Sequence, residues 1–285
     1  MLKYLFFLIG LFVSFPSLAE DHKVNWGRTD FPPFTIIRGD YAGQGVTDQM
    51  IDFYIQHLPQ YQHTKVIGSL QRVLKNMQNG SQMCHGSLLY KKKRAKYVDY
   101  LLPNIAQFAN GLITTKAKLP LFKPYLSKDH EIDLERLIQS GTVKIRYHAE
   151  RSYSAIIDKV IDSYGWKSDV LLRKTGLKET DKEIQLLMDG RLDAVIGRPE
   201  EGLYVMAQAG SEDRMVFLNI KGDKPFKFAQ IGCAKGDWNK QFIKDVNALT
   251  LKYRTSDEFA GFYARWLPEN LREKYLKMVK TVFAE

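Results

Sequence analysis

Long apolar runs are scarce in this sequence, and the one that stands out lies at the N-terminus. Residues 4–15 are apolar, Lys3 precedes them, and Ser17-Leu18-Ala19 supplies small residues after them. This order is typical of a secretory signal peptide. A membrane anchor is the alternative, but the run is shorter than the roughly 18 residues that a span requires, and Pro16 interrupts it. We therefore predict that residues 1–19 are a signal peptide, cleaved near Ala19, and that the chain is exported.

Cysteine is also scarce, since the sequence has only Cys84 and Cys233. An even number of cysteines in an exported protein favours a disulfide, because that compartment is oxidising. Two buried thiols at unrelated sites are the alternative. A bridge across so long a loop would stabilise the fold by roughly 4 to 5 kcal/mol in the chain-entropy treatment.

The motifs of common catalytic and cofactor sites are missing. The sequence contains no Walker loop, no dinucleotide-binding fingerprint and no Ser/His/Asp arrangement. Its six histidines lack the close spacing of metal ligands, because His57 and His63 flank a turn and His85 lies on a predicted strand. We therefore expect neither a metal nor a cofactor.

Acidic residues are fewer than basic ones, 32 against 42, and the formal net charge is +10. This balance favours acidic ligands or an anionic surface. The run Lys91-Lys92-Lys93-Arg94-Ala95-Lys96 is similar to a nucleic-acid-binding patch. Export separates the protein from nucleic acid, so we interpret the run as a solvated helix start and expect no nucleic-acid partner.

Strand-like and helix-like segments alternate along the chain. Strands are predicted at residues 24–27, 64–67 and 83–88, with amphipathic helices between them that begin near Val46 and Leu70. The second helix ends at Asn79-Gly80, as a left-handed C-cap would. Alternation of this kind indicates a parallel sheet covered on both faces by helices.

The pattern then restarts after an extended apolar segment at residues 108–115. Helices and strands alternate again, the helices at residues 133–139, 156–164 and 182–188 and the strands at 142–147, 170–173 and 192–197. A second extended segment, residues 226–234, leads into a helical tail. We therefore predict a two-lobed α/β fold with two hinge crossings, in which residues 20–110 and 231–285 form lobe 1 and residues 111–230 form lobe 2.

Several short motifs occur in an order that carries a family resemblance. They are TDFPPF at 29–34, GQGVTD at 43–48, GSL at 86–88, RAKYVDY at 94–100, LDAVIG at 192–197 and IGCAKGD at 231–237. The chain resembles a divergent member of family three of the periplasmic solute-binding proteins, the polar-amino-acid type with the type II periplasmic-binding fold. The resemblance implies a periplasmic monomer that closes on a small polar or acidic solute and serves an inner-membrane ABC permease or the periplasmic domain of a sensor.

The resemblance also implies a ligand site at the cleft. Phe31 would form an aromatic wall, or alternatively a hydrophobic plug between loop and core. Arg94 occupies the position that grips a carboxylate, although it could be a surface arginine of the basic run. Ser87 would contribute a hydrogen bond. Arg151-Ser152-Tyr153 would start a helix whose free N–H groups favour an anion, and Ser152 could instead be a plain N-cap.

Two departures from the family pattern affect the expected ligand. Amino-acid binders usually carry an acidic residue after the second-lobe strand, where this chain has Arg198-Pro199-Glu200-Glu201, and a small polar residue where it has Lys91. Lys91, Arg94 and Arg198 would suit an acidic solute, whereas Glu200 could reach an amine.

Two other functions stay open. A dehydratase-like enzyme on the same fold would use Glu200, Glu150 or His148 as its acid or base. A binding protein with a degenerate pocket would report to a membrane receptor.

Overall fold

The structure is a computed structural model that describes residues 23–149, 153–175 and 180–284. The predicted signal peptide lies outside the described residues. Within them, the strands are β1 (Lys23–Arg28), β2 (Gln62–Ile67), β3 (Met83–Leu88), β4 (Val98–Phe108), β5 (Gly111–Thr115), β6 (Ile145–His148), β7 (Leu171–Lys174), β8 (Ala194–Gly197), β9 (Met215–Leu218) and β10 (Phe226–Ala234). The α-helices are α1 (Val46–His57), α2 (Leu70–Gln78), α3 (Leu134–Gln139), α4 (Ala155–Tyr164), α5 (Thr180–Met188), α6 (Pro199–Gln208), α7 (Lys240–Tyr253), α8 (Asp257–Ala264) and α9 (Glu269–Val282).

The strands form two five-stranded sheets, which confirms the predicted two-lobed α/β fold. The first sheet has the order β2-β1-β3-β10-β4 and the second the order β7-β6-β8-β5-β9. In each sheet three neighbouring strands run parallel and the remaining two pairings are antiparallel. We call the layer built on the first sheet lobe 1 and that built on the second lobe 2.

The chain passes between the lobes twice, as the sequence predicts. β4 ends at Phe108 in the first sheet, β5 begins at Gly111 in the second, and β10 returns to the first sheet. β10 pairs antiparallel with β4 over most of its length, so the two crossings lie side by side. The exact lobe boundaries at residues 110 and 231 remain predictions, since the second of them falls inside β10.

A disulfide and the helical tail hold lobe 1 together. Cys84 and Cys233 are opposite each other on β3 and β10, and they are bonded as predicted. On α7, the Thr250 hydroxyl lies 2.7 Å from the Tyr54 hydroxyl of α1, and the Asn247 side chain accepts a hydrogen bond from the backbone of Leu102 on β4. The tail therefore packs on lobe 1. Within the described residues, no helix is long and apolar enough to cross a membrane.

Candidate functional site

The loop after β1 presents two aromatic side chains towards lobe 2. Phe31 and Thr35 pair across a tight turn, and Phe34 N donates to Phe31 O at 2.9 Å. This turn places the rings of Phe31 and Phe34 6.0 Å apart in a stacked arrangement. Phe31 is 45% exposed and Phe34 only 4%. We call these two rings the aromatic shelf.

The N-terminus of α1 fixes that shelf to lobe 1. Val46 N donates to Pro33 O at 2.9 Å and Thr47 N to Phe34 O at 2.6 Å, so two N–H groups of the first turn are used by the loop. Gly45 permits this approach, because a Cβ there would lie 2.5 Å from Phe34 O.

A buried ion pair, Arg28 with Asp48, also holds this loop. Asp48, in the first turn of α1, lies 2.6 Å from the Arg28 guanidinium and accepts from Ile36 N at 2.8 Å and Gly45 N at 3.2 Å. Its carboxylate is almost fully enclosed. Since breaking a buried pair on one side costs several kcal/mol, Asp48 makes the shelf a rigid part of lobe 1.

The facing element of lobe 2 is α6, which follows β8. Its residues from Pro199 to Met206 are all buried, so this helix is covered on every side. One side packs within lobe 2, where Gly202 approaches Ile113 of β5. The other side meets lobe 1, where Tyr204 contacts Tyr41 and Trp266, with ring centroids 6.3 and 5.5 Å apart.

Arg198, directly before α6, is the central group of this interface. Its guanidinium carbon lies 5.4 Å from the ring centroid of Phe31 and 4.9 Å from that of Phe34. Both distances are within the range of cation–π attraction. Arg198 Nη2 donates to Glu201 Oε1 at 2.7 Å, and Arg198 Nε lies 3.2 Å from Glu200 Oε1. The side chain is thus held between the shelf of one lobe and two carboxylates of the other.

Glu200 extends the cluster to the helical tail. The Tyr263 hydroxyl, on α8, donates to Glu200 Oε2 at 2.8 Å and accepts from Phe108 N at 2.9 Å. The second carboxylate, Glu201, accepts from Arg198 N at 3.2 Å and so caps the start of α6. The hydrogen bond from Tyr263 therefore ties Glu200 of lobe 2 to lobe 1.

Burial sets the charge states in this cluster. It raises the pKa of the Glu200 carboxyl from 4.5 to about 7, with the neighbouring Arg198 lowering the pKa and Glu201 raising it. For Arg198, burial acts to lower the pKa, but the carboxylates of Glu201 and Glu200 outweigh it and raise the pKa above its ordinary value. Burial, followed by the Glu200 charge, raises the pKa of Tyr263 well above 10. Arg198 therefore stays charged, while Glu200 titrates near neutral pH.

The end of β3 and the loop after it carry three of the predicted site residues. Ser87 N donates to His85 Nδ1 at 3.2 Å, Lys91 N donates to the Tyr100 hydroxyl at 3.3 Å, and Arg94 Nη1 donates to Leu89 O at 3.2 Å. The Lys91 side chain is exposed and Arg94 is half-buried. Burial, helped by the charge of Arg94, lowers the pKa of His85 to about 4.

The predicted second-lobe anion site lies mostly outside the described residues, which omit Arg151 and Ser152. The next residues show where the helix begins: α4 starts at Ala155, and its N-cap is Ser154, which accepts from Ile157 N at 3.3 Å. The Tyr153 side chain is buried in lobe 2, where its hydroxyl accepts from His148 N at 2.8 Å. Its carbonyl accepts a hydrogen bond from Lys227 of β10.

The structure thus brings together Phe31, Arg198 and Glu200 among the predicted residues. Sequence reasoning missed three of their partners, Phe34, Glu201 and Tyr263. The signal for Glu201 was available, since an acidic residue at the third helical position after Arg198-Pro199 is typical of a capped helix start. Tyr263 had no signal, because it reaches the cluster from a distant part of the chain.

Of the remaining candidates for an acid or base, His148 is paired with another side chain and Glu150 lies outside the described residues. His148 Nε2 lies 2.6 Å from Glu183 Oε2 of α5, and both side chains are buried within lobe 2. Glu150 is outside the described residues. Among the described residues, no group of three or more His, Cys, Asp or Glu side chains could hold a metal ion.

Comparison with solved structures identifies the fold. The chain is similar to an ancestral cationic amino-acid solute-binding protein, with a TM-score of 0.64 and 14% identity over 86% of this chain and 96% of that one. It is similar to ytmK of Bacillus subtilis, a probable amino-acid ABC transporter extracellular-binding protein, with a TM-score of 0.63 and 13% identity over 87% and 97% of the two chains.

A histidine kinase sensor domain with similarity to periplasmic binding proteins also matches, with a TM-score of 0.55 and 15% identity over 86% of this chain and 95% of that one. No protein-family model matches the chain, and no curated protein matches it by sequence. The two-lobed periplasmic-binding-protein fold is therefore present in a sequence far removed from these proteins.

Proposed function

We propose that this chain is a periplasmic protein that binds a small polar solute between its two lobes and presents the closed state to a membrane partner. The observation that carries the proposal is the contact of Arg198 with the opposite lobe. Its guanidinium, which belongs to lobe 2, lies against the aromatic shelf of lobe 1. Two adjacent crossing strands, β4 and β10, provide the hinge on which the lobes could separate and close.

The solute we propose is acidic or neutral rather than cationic. Arg94 and Lys91 lie on the loop after β3, and the chain carries a formal charge of +10. In the described part of the cleft, the carboxylates of Glu200 and Glu201 are already paired with Arg198. An anionic or uncharged group therefore fits the remaining charge balance better than a second cation does.

The membrane partner we propose is either an ABC permease or a sensor. The fold serves both roles among the similar structures, since one is described as an ABC transporter binding protein and another as a histidine kinase sensor domain. The dehydratase-like alternative has less support, because Glu200 is enclosed by Arg198 and Tyr263 and thus has no free face for a substrate proton.

A thermal-shift screen over amino acids, dicarboxylates, polyamines and peptides tests the solute. A solute at a hundred times its dissociation constant should stabilise the protein by roughly 2.7 kcal/mol. We expect a hit among the acidic or neutral compounds. Stabilisation by polyamines alone would contradict the proposed charge selectivity, and no stabilisation by any compound would contradict solute binding.

A further inference from the structure

The charged group that the two lobes enclose belongs to the chain itself. Arg198 is 8% exposed, although arginine side chains are mostly found at the surface. Its guanidinium has an aromatic face on the lobe 1 side and carboxylates on the lobe 2 side. Aromatic rings and carboxylates together are the groups with which proteins bind a guanidinium ligand.

We propose that Phe31, Phe34, Glu200 and Glu201 form a guanidinium-binding subsite between the lobes and that Arg198 is its resident, covalently tethered ligand. The subsite takes planar cations of the guanidinium class. Because Arg198 fills it, the free cation is excluded from the natural protein. The proposal rests on solute binding as the function of the chain, and it adds that solutes of the guanidinium class are excluded.

The components of the subsite are held independently of the Arg198 side chain. The aromatic shelf is fixed by hydrogen bonds to the start of α1, including that from Thr47 N to Phe34 O. Glu200 keeps its hydrogen bond from Tyr263, and Glu201 keeps its own bond to the backbone at the start of α6. Removing the Arg198 side chain beyond Cβ should therefore leave a lined space rather than a collapsed one.

The same contacts explain how the lobes can be closed without a solute. Arg198 and Glu200 are anchored in lobe 2, while Phe31, Phe34 and Tyr263 are anchored in lobe 1. In a hinged binding protein, a ligand favours closure because it contacts both lobes at once. A tethered guanidinium makes those contacts permanently, so the closed state is favoured before any solute arrives.

Chemical rescue tests the proposal. The Arg198→Ala variant lacks the atoms of N-ethylguanidinium, so that cation is the probe, and N-ethylurea is its uncharged isostere. The assay is the melting temperature at pH 8, with sodium chloride matching the ionic strength. We expect N-ethylguanidinium to raise the melting temperature of Arg198→Ala by about 3 °C at ten times its dissociation constant.

The controls separate the subsite from general salt effects. Arg173→Ala removes an exposed arginine that lies 4.7 Å from the Trp166 ring, so its melting temperature should not respond to the probe. The natural protein should not respond either, and N-ethylurea should stabilise none of the three. X-ray scattering should show an expanded Arg198→Ala chain that becomes compact again with N-ethylguanidinium.

If Arg198→Ala does not fold alone, refolding in the presence of N-ethylguanidinium is the readout. The double variant Arg198→Ala/Glu200→Gln has only the Glu201 carboxylate without its arginine partner, and N-ethylguanidinium should rescue its refolding as well. Equal effects of N-ethylguanidinium and N-ethylurea in both variants, or failure of both to refold with the probe, would overturn the proposal. The test uses no natural solute, so failure of the solute screen leaves its result unaffected.

Discussion

The pH dependence of stability should expose the buried carboxyl of Glu200. Burial raises its pKa from 4.5 to about 7, so between these values the folded protein holds a proton that the unfolded chain has lost. The stabilisation from this proton is complete below pH 4.5 and is lost as the pH rises to 7. A difference of about 2.5 pH units corresponds to roughly 3 kcal/mol.

The perturbation is Glu200→Gln, because glutamine imitates the protonated carboxyl and cannot lose the proton. Its amide oxygen can still accept the hydrogen bond from Tyr263. The free energy of unfolding of Glu200→Gln, minus that of the natural protein, should therefore rise by about 3 kcal/mol between pH 4.5 and 7.5.

Urea denaturation followed by tryptophan fluorescence, at constant ionic strength, measures this difference. The control is Glu273→Gln, which removes an exposed carboxylate on α9 whose pKa the hydrogen bond and charge of Lys277 lower. The free energy of unfolding of Glu273→Gln, minus that of the natural protein, should instead fall slightly over the same pH range. A flat curve for Glu200→Gln over this range would refute the buried, interface position of the Glu200 carboxyl.

Two further predictions concern lobe 1. Since burial lowers the pKa of His85 from 6.5 to about 4, its contribution to stability is present above pH 6.5 and lost as the pH falls to 4. The stability advantage of the natural protein over His85→Gln should therefore shrink by about 3 kcal/mol across that range in urea titrations; a constant advantage would contradict the burial of His85. The disulfide closes a loop of 149 residues, so Cys84→Ala/Cys233→Ala should lose up to about 5 kcal/mol of unfolding free energy. Two titratable thiols in the unreduced, denatured natural protein would show that the bond does not form.

The sequence predicted the elements whose ends carry strong local signals. The predicted bounds of β3 and β10 agree with the structure, and α2 ends at Asn79-Gly80, where Gly80 has a positive φ of 82°. β4 was predicted only at its end, because Pro103 argues against a strand interior. In the structure, Pro103 lies opposite Gln230, where the register of β10 shifts.

The site could be predicted only in part, because its geometry depends on how the lobes meet. α6 escaped prediction since a helix buried on every side has no amphipathic period. The contact of Arg198 with Phe34 joins residues 164 positions apart on different lobes, and no local pattern encodes it. The family resemblance therefore identified Phe31, Arg198 and Glu200 separately, whereas their mutual contacts are a property of the tertiary fold.

Calorimetric titration of the solute found by the screen tests binding between the lobes most directly. We predict one solute per chain, and a weaker affinity in Phe31→Ala and Arg94→Ala than in two surface controls, Leu121→Ala and Arg72→Ala. Leu121 is exposed much like Phe31, and Arg72 is an exposed arginine of α2. Equal affinity in all four variants would contradict a solute site at this cleft.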